Sequence, residues 1–74
     1  MMEMQAWREA WERATVAAES LRAAFAGLGL PESAWGRVRP SVTHAGRAYV
    51  DLGTLPAEAA ERIAEALSPE RAAQ

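Results

Sequence analysis

The stretch that decides the fold is Met4 to Leu28, MQAWREAWERATVAAESLRAAFAGL. Its apolar side chains recur at alternating spacings of three and four residues, which places them along one side of a helix. We call this line the apolar stripe: Met4, Trp7, Trp11, Ala14, Ala18, Leu21, Phe25 and Leu28. Ala, Leu, Arg and Glu favour helix, and no Gly or Pro precedes Gly27. The pattern predicts one long helix over residues 1–27, with Gly27 as its left-handed end.

A β-hairpin is predicted over residues 37–53. A two-residue loop at 45–46 would mix core and solvent positions on each face. A three-residue loop, His44-Ala45-Gly46, instead gives one apolar face, with Val38 opposite Leu52, Pro40 opposite Val50 and Val42 opposite Ala48. Gly46 then supplies the left-handed residue that such a loop needs. The polar face pairs Arg39 with Asp51, Ser41 with Tyr49 and Thr43 with Arg47, which predicts an Arg39–Asp51 ion pair.

Residues 55–68 predict a second, shorter helix that begins near Pro56 and ends before Pro69. Its expected buried side is Leu55, Ala59, Ile63, Ala66 and Leu67, and Glu58 and Arg62 are expected to pair on the outer side. Residues 69–74 are predicted to be a frayed tail. The connector before the hairpin contains Trp35, which we expect to close one end of the core. The whole chain, 1–74, is therefore predicted to be a single α+β domain of order α-β-β-α, with both helices on one face of the hairpin.

The small size of the chain and the length of its first helix together predict that the protein associates with a partner. A chain of 74 residues has a thin core, and without Cys and with a single His it lacks disulfides and a usual metal site. We therefore expect no metal and no cofactor, and expect self-association instead. The first helix is about 40 Å long, whereas a hairpin strand is about 20 Å, so Trp7 and Trp11 would remain uncovered.

Two dimer arrangements are compatible with the sequence. In the first, the apolar stripe packs against an antiparallel copy that crosses near Val16, as isologous interfaces allow. The predicted interface residues are Met4, Trp7, Trp11, Ala14, Ala18, Leu21 and Phe25. In the second, two hairpins pair edge to edge in a four-stranded sheet. The leading functional hypothesis is thus a non-enzymatic protein-interaction module, either a small homodimer or a subunit that docks on another protein.

Catalysis by this chain is not expected. His44 is the only imidazole and Asp51 the only Asp, and the predicted hairpin keeps them apart. No serine lies in a nucleophile elbow, and no phosphate-binding loop or Cys-based metal spacing is present. We therefore predict no catalytic residues and no enzymatic activity.

The alternative function is binding of nucleic acid or another anion by the polar side of the hairpin. Residues 36–53 contain three Arg and one Asp, a balance of +2 in a chain of net charge −2. The residues that would form this face are Arg37, Arg39, His44, Arg47 and Tyr49. An ordinary solvated face, with Arg39 paired to Asp51, is the competing interpretation. No apolar run is long enough to span a bilayer and no signal peptide is evident, so we expect a cytoplasmic protein without a membrane partner.

Overall fold

The structure is a computed structural model and describes residues 4–68. In chain order the elements are α1 (Met4–Gly27), α2 (Glu32–Trp35), β1 (Arg39–Val42), β2 (Ala48–Asp51) and α3 (Ala57–Ala66). This order confirms the predicted α+β class and its α-β-β-α arrangement, and the connector contains the single helical turn α2. The predicted tail, 69–74, and the first three residues of the predicted long helix lie outside the described residues.

Helix α1 ends in a turn that reverses the chain toward the hairpin. The backbone N–H of Gly29 donates to the carbonyl of Ala26 (2.9 Å), and that of Leu30 donates to the carbonyl of Phe25 (3.4 Å). This pair of bonds is the Schellman motif, in which the residue after the helix cap is left-handed. Gly29 has that conformation, with φ +82°. The left-handed end is therefore at Gly29 rather than at Gly27, because the helix continues through Gly27.

The hairpin has the register that the three-residue loop predicts. Strands β1 and β2 are antiparallel and pair Arg39 with Asp51, Pro40 with Val50, Ser41 with Tyr49 and Val42 with Ala48. At the turn, the N–H of Gly46 donates to the Thr43 carbonyl and the N–H of Thr43 donates to the Arg47 carbonyl, both at 2.9 Å. Gly46 has φ +87°, the left-handed conformation that closes such a loop.

The core lies where the two helices meet the apolar face of the hairpin. Its buried members are Ala18, Phe25, Leu30, Ala34, Val38 and Ala59. Around them pack Leu21, Leu28, Trp35, Val50 and Ile63. The indole Nε1 of Trp35 donates to the Leu30 carbonyl at 3.0 Å, so this half-buried ring also satisfies the polar backbone beside it. Trp35 therefore packs against the core, as expected for a residue that closes it.

Helix α3 is shorter than the predicted 55–68 segment. Pro56 has ψ 145°, which is extended backbone, so the helix begins after it. At the other end the helix stops at Ala66, and Leu67 is 76% exposed. The prediction that Leu67 is buried was wrong for this reason. Arg62 also departs from prediction: its guanidinium donates to the backbone carbonyl of Leu28, and within residues 4–68 it makes no ion pair with Glu58.

The molecule is elongated because α1 extends beyond the rest of the fold. The 24 residues of α1 span about 36 Å, whereas the four residues of each strand span about 14 Å. The radius of gyration is 14.6 Å and the principal extents are 45 × 28 × 16 Å. A compact chain of this length would have a radius of gyration of about 11 Å. The hairpin thus covers only part of α1.

Candidate interaction surfaces

The uncovered part of α1 carries three large apolar side chains. Met4 is 66% exposed, Trp7 39% and Trp11 41%. All three belong to the apolar stripe, and we call them the tryptophan patch. Large apolar side chains that lie together on a surface are typical of sites where another molecule binds.

The two indoles of the tryptophan patch form an ordered pair. Trp7 and Trp11 are one helical turn apart, and their ring centroids are 5.8 Å from each other with an angle of only 3° between the planes. Offset stacking of this kind is a favourable arrangement of aromatic rings. The two rings therefore form one stacked aromatic unit on the surface of α1.

The rest of the apolar stripe faces the chain's own core. Ala14, Ala18 and Phe25 are exposed by 1%, 0% and 5%, respectively, and Leu21 is half-buried. These residues contact the protein's own core and leave no surface for a second helix. The predicted interface is therefore corrected: the antiparallel pairing centred near Val16 needs Ala14, Ala18 and Phe25 to be accessible, and they are not. Of the predicted interface residues, Met4, Trp7 and Trp11 remain accessible.

The two flanks of the tryptophan patch differ. On one flank the hairpin tip approaches α1 across a groove of about 640 Å³, lined by Glu9, Ala10 and Arg13 of the helix and by Gly46 and Arg47 of the tip. The other flank carries Arg8 and Glu12, one helical turn apart and both exposed. Arg8 and Glu12 were not among the predicted interface residues, although each directly follows Trp7 or Trp11 in the sequence.

The polar side of the hairpin is open. Tyr49 is 51% exposed, Arg39 and Arg47 are exposed, and His44 is exposed at the turn. We call this surface the hairpin outer face; it comprises Arg37, Arg39, Ser41, Thr43, Arg47, Tyr49 and Asp51. His44 lies beside it at the tip rather than on it.

The predicted Arg39–Asp51 ion pair is not formed in the described part of the chain, although the two residues are directly opposite each other. The Asp51 carboxylate instead accepts a hydrogen bond from the backbone N–H of Gly53 (2.9 Å). A short acidic side chain often bonds the backbone two residues ahead, and this local bond competes with a cross-strand pair. Within residues 4–68 Arg39 therefore has no ionic partner.

Arg37 extends the row of cations by one position. Arg37 precedes β1 and lies beside Gly53, since a Cβ built on Gly53 would lie 2.9 Å from the Arg37 Cβ. Only a glycine leaves room there, and Gly53 also has φ +67°. The absence of a side chain at this position lets the Arg37 stem lie across the end of β2. Arg37, Arg39 and Arg47 thus share the hairpin outer face with Tyr49.

No arrangement within residues 4–68 brings three His, Cys, Asp or Glu side chains together as metal ligands. None of the helices in that range combines the length and apolarity that crossing a bilayer requires. Comparison with protein-family models, with curated proteins and with solved structures finds no match to this chain. The two surfaces that the described residues offer for binding are the tryptophan patch and the hairpin outer face.

Proposed function

We propose that this chain is a non-enzymatic protein-interaction module that forms a homodimer through the tryptophan patch. The single observation that carries the proposal is the ordered, parallel pair of Trp7 and Trp11, each about two-fifths exposed on a part of α1 that the fold does not cover. Aromatic side chains of this kind dominate the energetics of protein interfaces.

A second copy of this chain can pair with the patch. In an antiparallel two-fold pair centred between Trp7 and Trp11, each Trp7 lies opposite Trp11 of the partner subunit. Residues on one flank of a helix then meet the same flank of the copy, so Arg8 lies near both Arg8 and Glu12 of the partner subunit. The two-fold axis generates the Arg8–Glu12 contact twice. The four indoles therefore supply the attraction between the copies, and the flanking charges report the register.

The small size of the domain supports the same partner. A chain of 74 residues buries only about 60% of the surface that its unfolded form exposes. Within the described residues the largest fully buried side chain is Val38. A dimer would add the faces of four indoles to this limited core, and small domains without disulfides or metals commonly gain stability in this way.

Molar mass measured across concentration tests the proposal. Sedimentation of the full chain from about 1 µM to about 500 µM is expected to show a monomer–dimer equilibrium. The double variant Trp7→Ala/Trp11→Ala is expected to remain monomeric, and Ala favours helix at both positions. Val16→Ala is the matched control, because Val16 lies on the same helix, is 62% exposed and is outside the patch. A wild-type chain that is monomeric throughout, or a double variant that is folded and still dimeric, would refute the proposal.

A charge exchange tests the antiparallel geometry without changing the indoles. Glu12→Arg places an Arg near Arg8 of the partner subunit in both symmetry-related contacts. The dimer dissociation constant is expected to rise several-fold. The double variant Arg8→Glu/Glu12→Arg restores opposite charges and is expected to recover most of the lost affinity. Equal dimerisation of the single and double variants would contradict this arrangement. Both residues are exposed, so neither change removes a core contact.

A further inference from the structure

We propose that the hairpin outer face is a binding site for single-stranded nucleic acid. The site consists of the three guanidinium groups of Arg37, Arg39 and Arg47, which would contact phosphates, and the ring of Tyr49, on which a base would stack. This proposal concerns a different surface from the tryptophan patch and does not depend on dimerisation.

The hairpin outer face is positively charged. It carries three Arg and one Asp, a balance of +2, whereas the chain as a whole has a net charge of −2. The competing interpretation pairs Arg39 with Asp51. In the structure the Asp51 carboxylate is turned to the Gly53 N–H instead, at 2.9 Å, and Arg39 has no ionic partner within residues 4–68. Arg39 is therefore available to contact an anion.

The cations of this face are spread along the hairpin. Side chains on one face of a strand repeat every two residues, or about 7 Å, so the rows of Arg39, Tyr49 and Arg47 follow one another in the pairing register. Arg37 precedes β1, and its stem lies beside Gly53, two residues beyond Asp51. Together these positions extend about 20 Å along the hairpin. This is an elongated cationic strip, which suits an extended polyanion better than a single small anion.

The aromatic ring of Tyr49 lies among these cations. Tyr49 is 51% exposed and lies between the row of Arg39 and the row of Arg47. Proteins that bind single strands combine a cationic surface that follows the phosphates with aromatic side chains that stack on bases. A base in a duplex is already stacked on both sides, so the ring favours single strands over duplexes.

Fluorescence anisotropy with labelled single strands of about 12 nucleotides, one of RNA and one of DNA, tests the site. Three phosphate contacts predict a slope of log K against log salt of about −2, so affinity is expected to fall about 100-fold from about 20 mM to about 200 mM salt. The variant Arg39→Gln/Arg47→Gln retains one contact, and its slope is expected to fall to about −0.7. Arg8→Gln is the control for net charge, because Arg8 is exposed on α1 and outside the hairpin. It is expected to leave the slope unchanged.

Variants at Tyr49 separate stacking from charge. Tyr49→Phe keeps an aromatic face and is expected to bind like the wild type. Tyr49→Thr keeps the preference for strand but removes the ring, and binding is expected to weaken at least about fivefold. A higher affinity for RNA than for DNA, or the reverse, would identify which nucleic acid the site binds.

Three outcomes would overturn the proposal. The first is no anisotropy change at about 100 µM protein in low salt. The second is binding that the arginine variant leaves unchanged. The third is equal affinity for duplex, heparin and single strands together with no effect of Tyr49→Thr, which would show that the face attracts anions by charge alone. Measuring all affinities in the Trp7→Ala/Trp11→Ala background as well keeps this test independent of dimerisation.

Discussion

The guanidinium of Arg62 in α3 donates a hydrogen bond to the backbone carbonyl of Leu28, in the turn that follows α1. The last carbonyls of a helix have no partner within the helix and carry partial negative charge, so a cation placed there is favourable. The contact joins residues 34 positions apart in the chain. It therefore ties the last helix to the end of the first.

Replacing Arg62 by Ala is expected to destabilise the fold by about 1 kcal/mol. A hydrogen bond to a charged group contributes about 1.5–3 kcal/mol, and this one is reduced because Arg62 is exposed. Glu58→Gln is the control, since Glu58 makes no ion pair with Arg62, and it is expected to have little effect. Urea unfolding measures both changes. An equal loss of stability in the two variants would indicate that an ion pair, rather than the Leu28 contact, accounts for the role of Arg62.

Two glycines near the end of α1 should respond to Ala in opposite directions. Gly29 has φ +82°, and an added Cβ would meet only the Arg62 guanidinium at an ordinary distance of 3.6 Å. The cost of Gly29→Ala is therefore conformational, about 1–2 kcal/mol. Gly27 is helical with open space around it, so Gly27→Ala is expected to stabilise the protein by about 0.5 kcal/mol. Thermal unfolding of the two variants checks the signs, and destabilisation by Gly27→Ala would place the left-handed residue at Gly27.

The hairpin was predictable because its signals are local. Gly46 and the alternation of apolar residues specify one loop length, and the loop length specifies the register. The core side of α1 was predictable only in part. Trp7 and Ala14 have the same helical periodicity, yet one is exposed and the other is buried. Their exposure differs because the rest of the fold covers Ala14 and leaves Trp7 uncovered. The spacing of residues within α1 does not show how far along the helix this cover extends.

The two incorrect side-chain pairings have a similar origin. Arg39 and Asp51 are opposite each other, as predicted, but Asp51 has a nearer donor in the backbone of Gly53. Glu58 and Arg62 are one turn apart, as predicted, but Arg62 reaches a carbonyl that the fold brings beside it. Sequence spacing identifies which partners are within reach. The folded backbone decides among them, because it supplies donors and acceptors that the spacing does not include.

Replacing Thr15 by Val is expected to raise stability. The Thr15 hydroxyl oxygen is buried and has no hydrogen-bond partner among residues 4–68, and an unsatisfied buried polar group is costly. Val keeps the branched shape and has a similar helix propensity, so the change removes the hydroxyl with little other effect. We expect a gain of about 1 kcal/mol and a rise in Tm of about 5 °C. Thr15→Ser keeps the hydroxyl and is expected to show no such gain, and a Tm for Thr15→Val at or below that of the wild type would contradict this account.

The proposed dimer makes thermal stability depend on protein concentration. Binding that occurs only between folded chains stabilises them by mass action. Above the dissociation constant, each tenfold increase in concentration adds about 1.4 kcal/mol per dimer, or about 0.7 kcal/mol per chain. For a domain of this size that corresponds to a rise in Tm of about 3–5 °C. Reversible melting curves followed by circular dichroism at several concentrations measure this slope. The Trp7→Ala/Trp11→Ala variant should melt at one temperature throughout, and Val16→Ala should follow the wild type. A wild-type Tm that does not change with concentration would show that folding and association are not coupled, and that the patch serves some other partner.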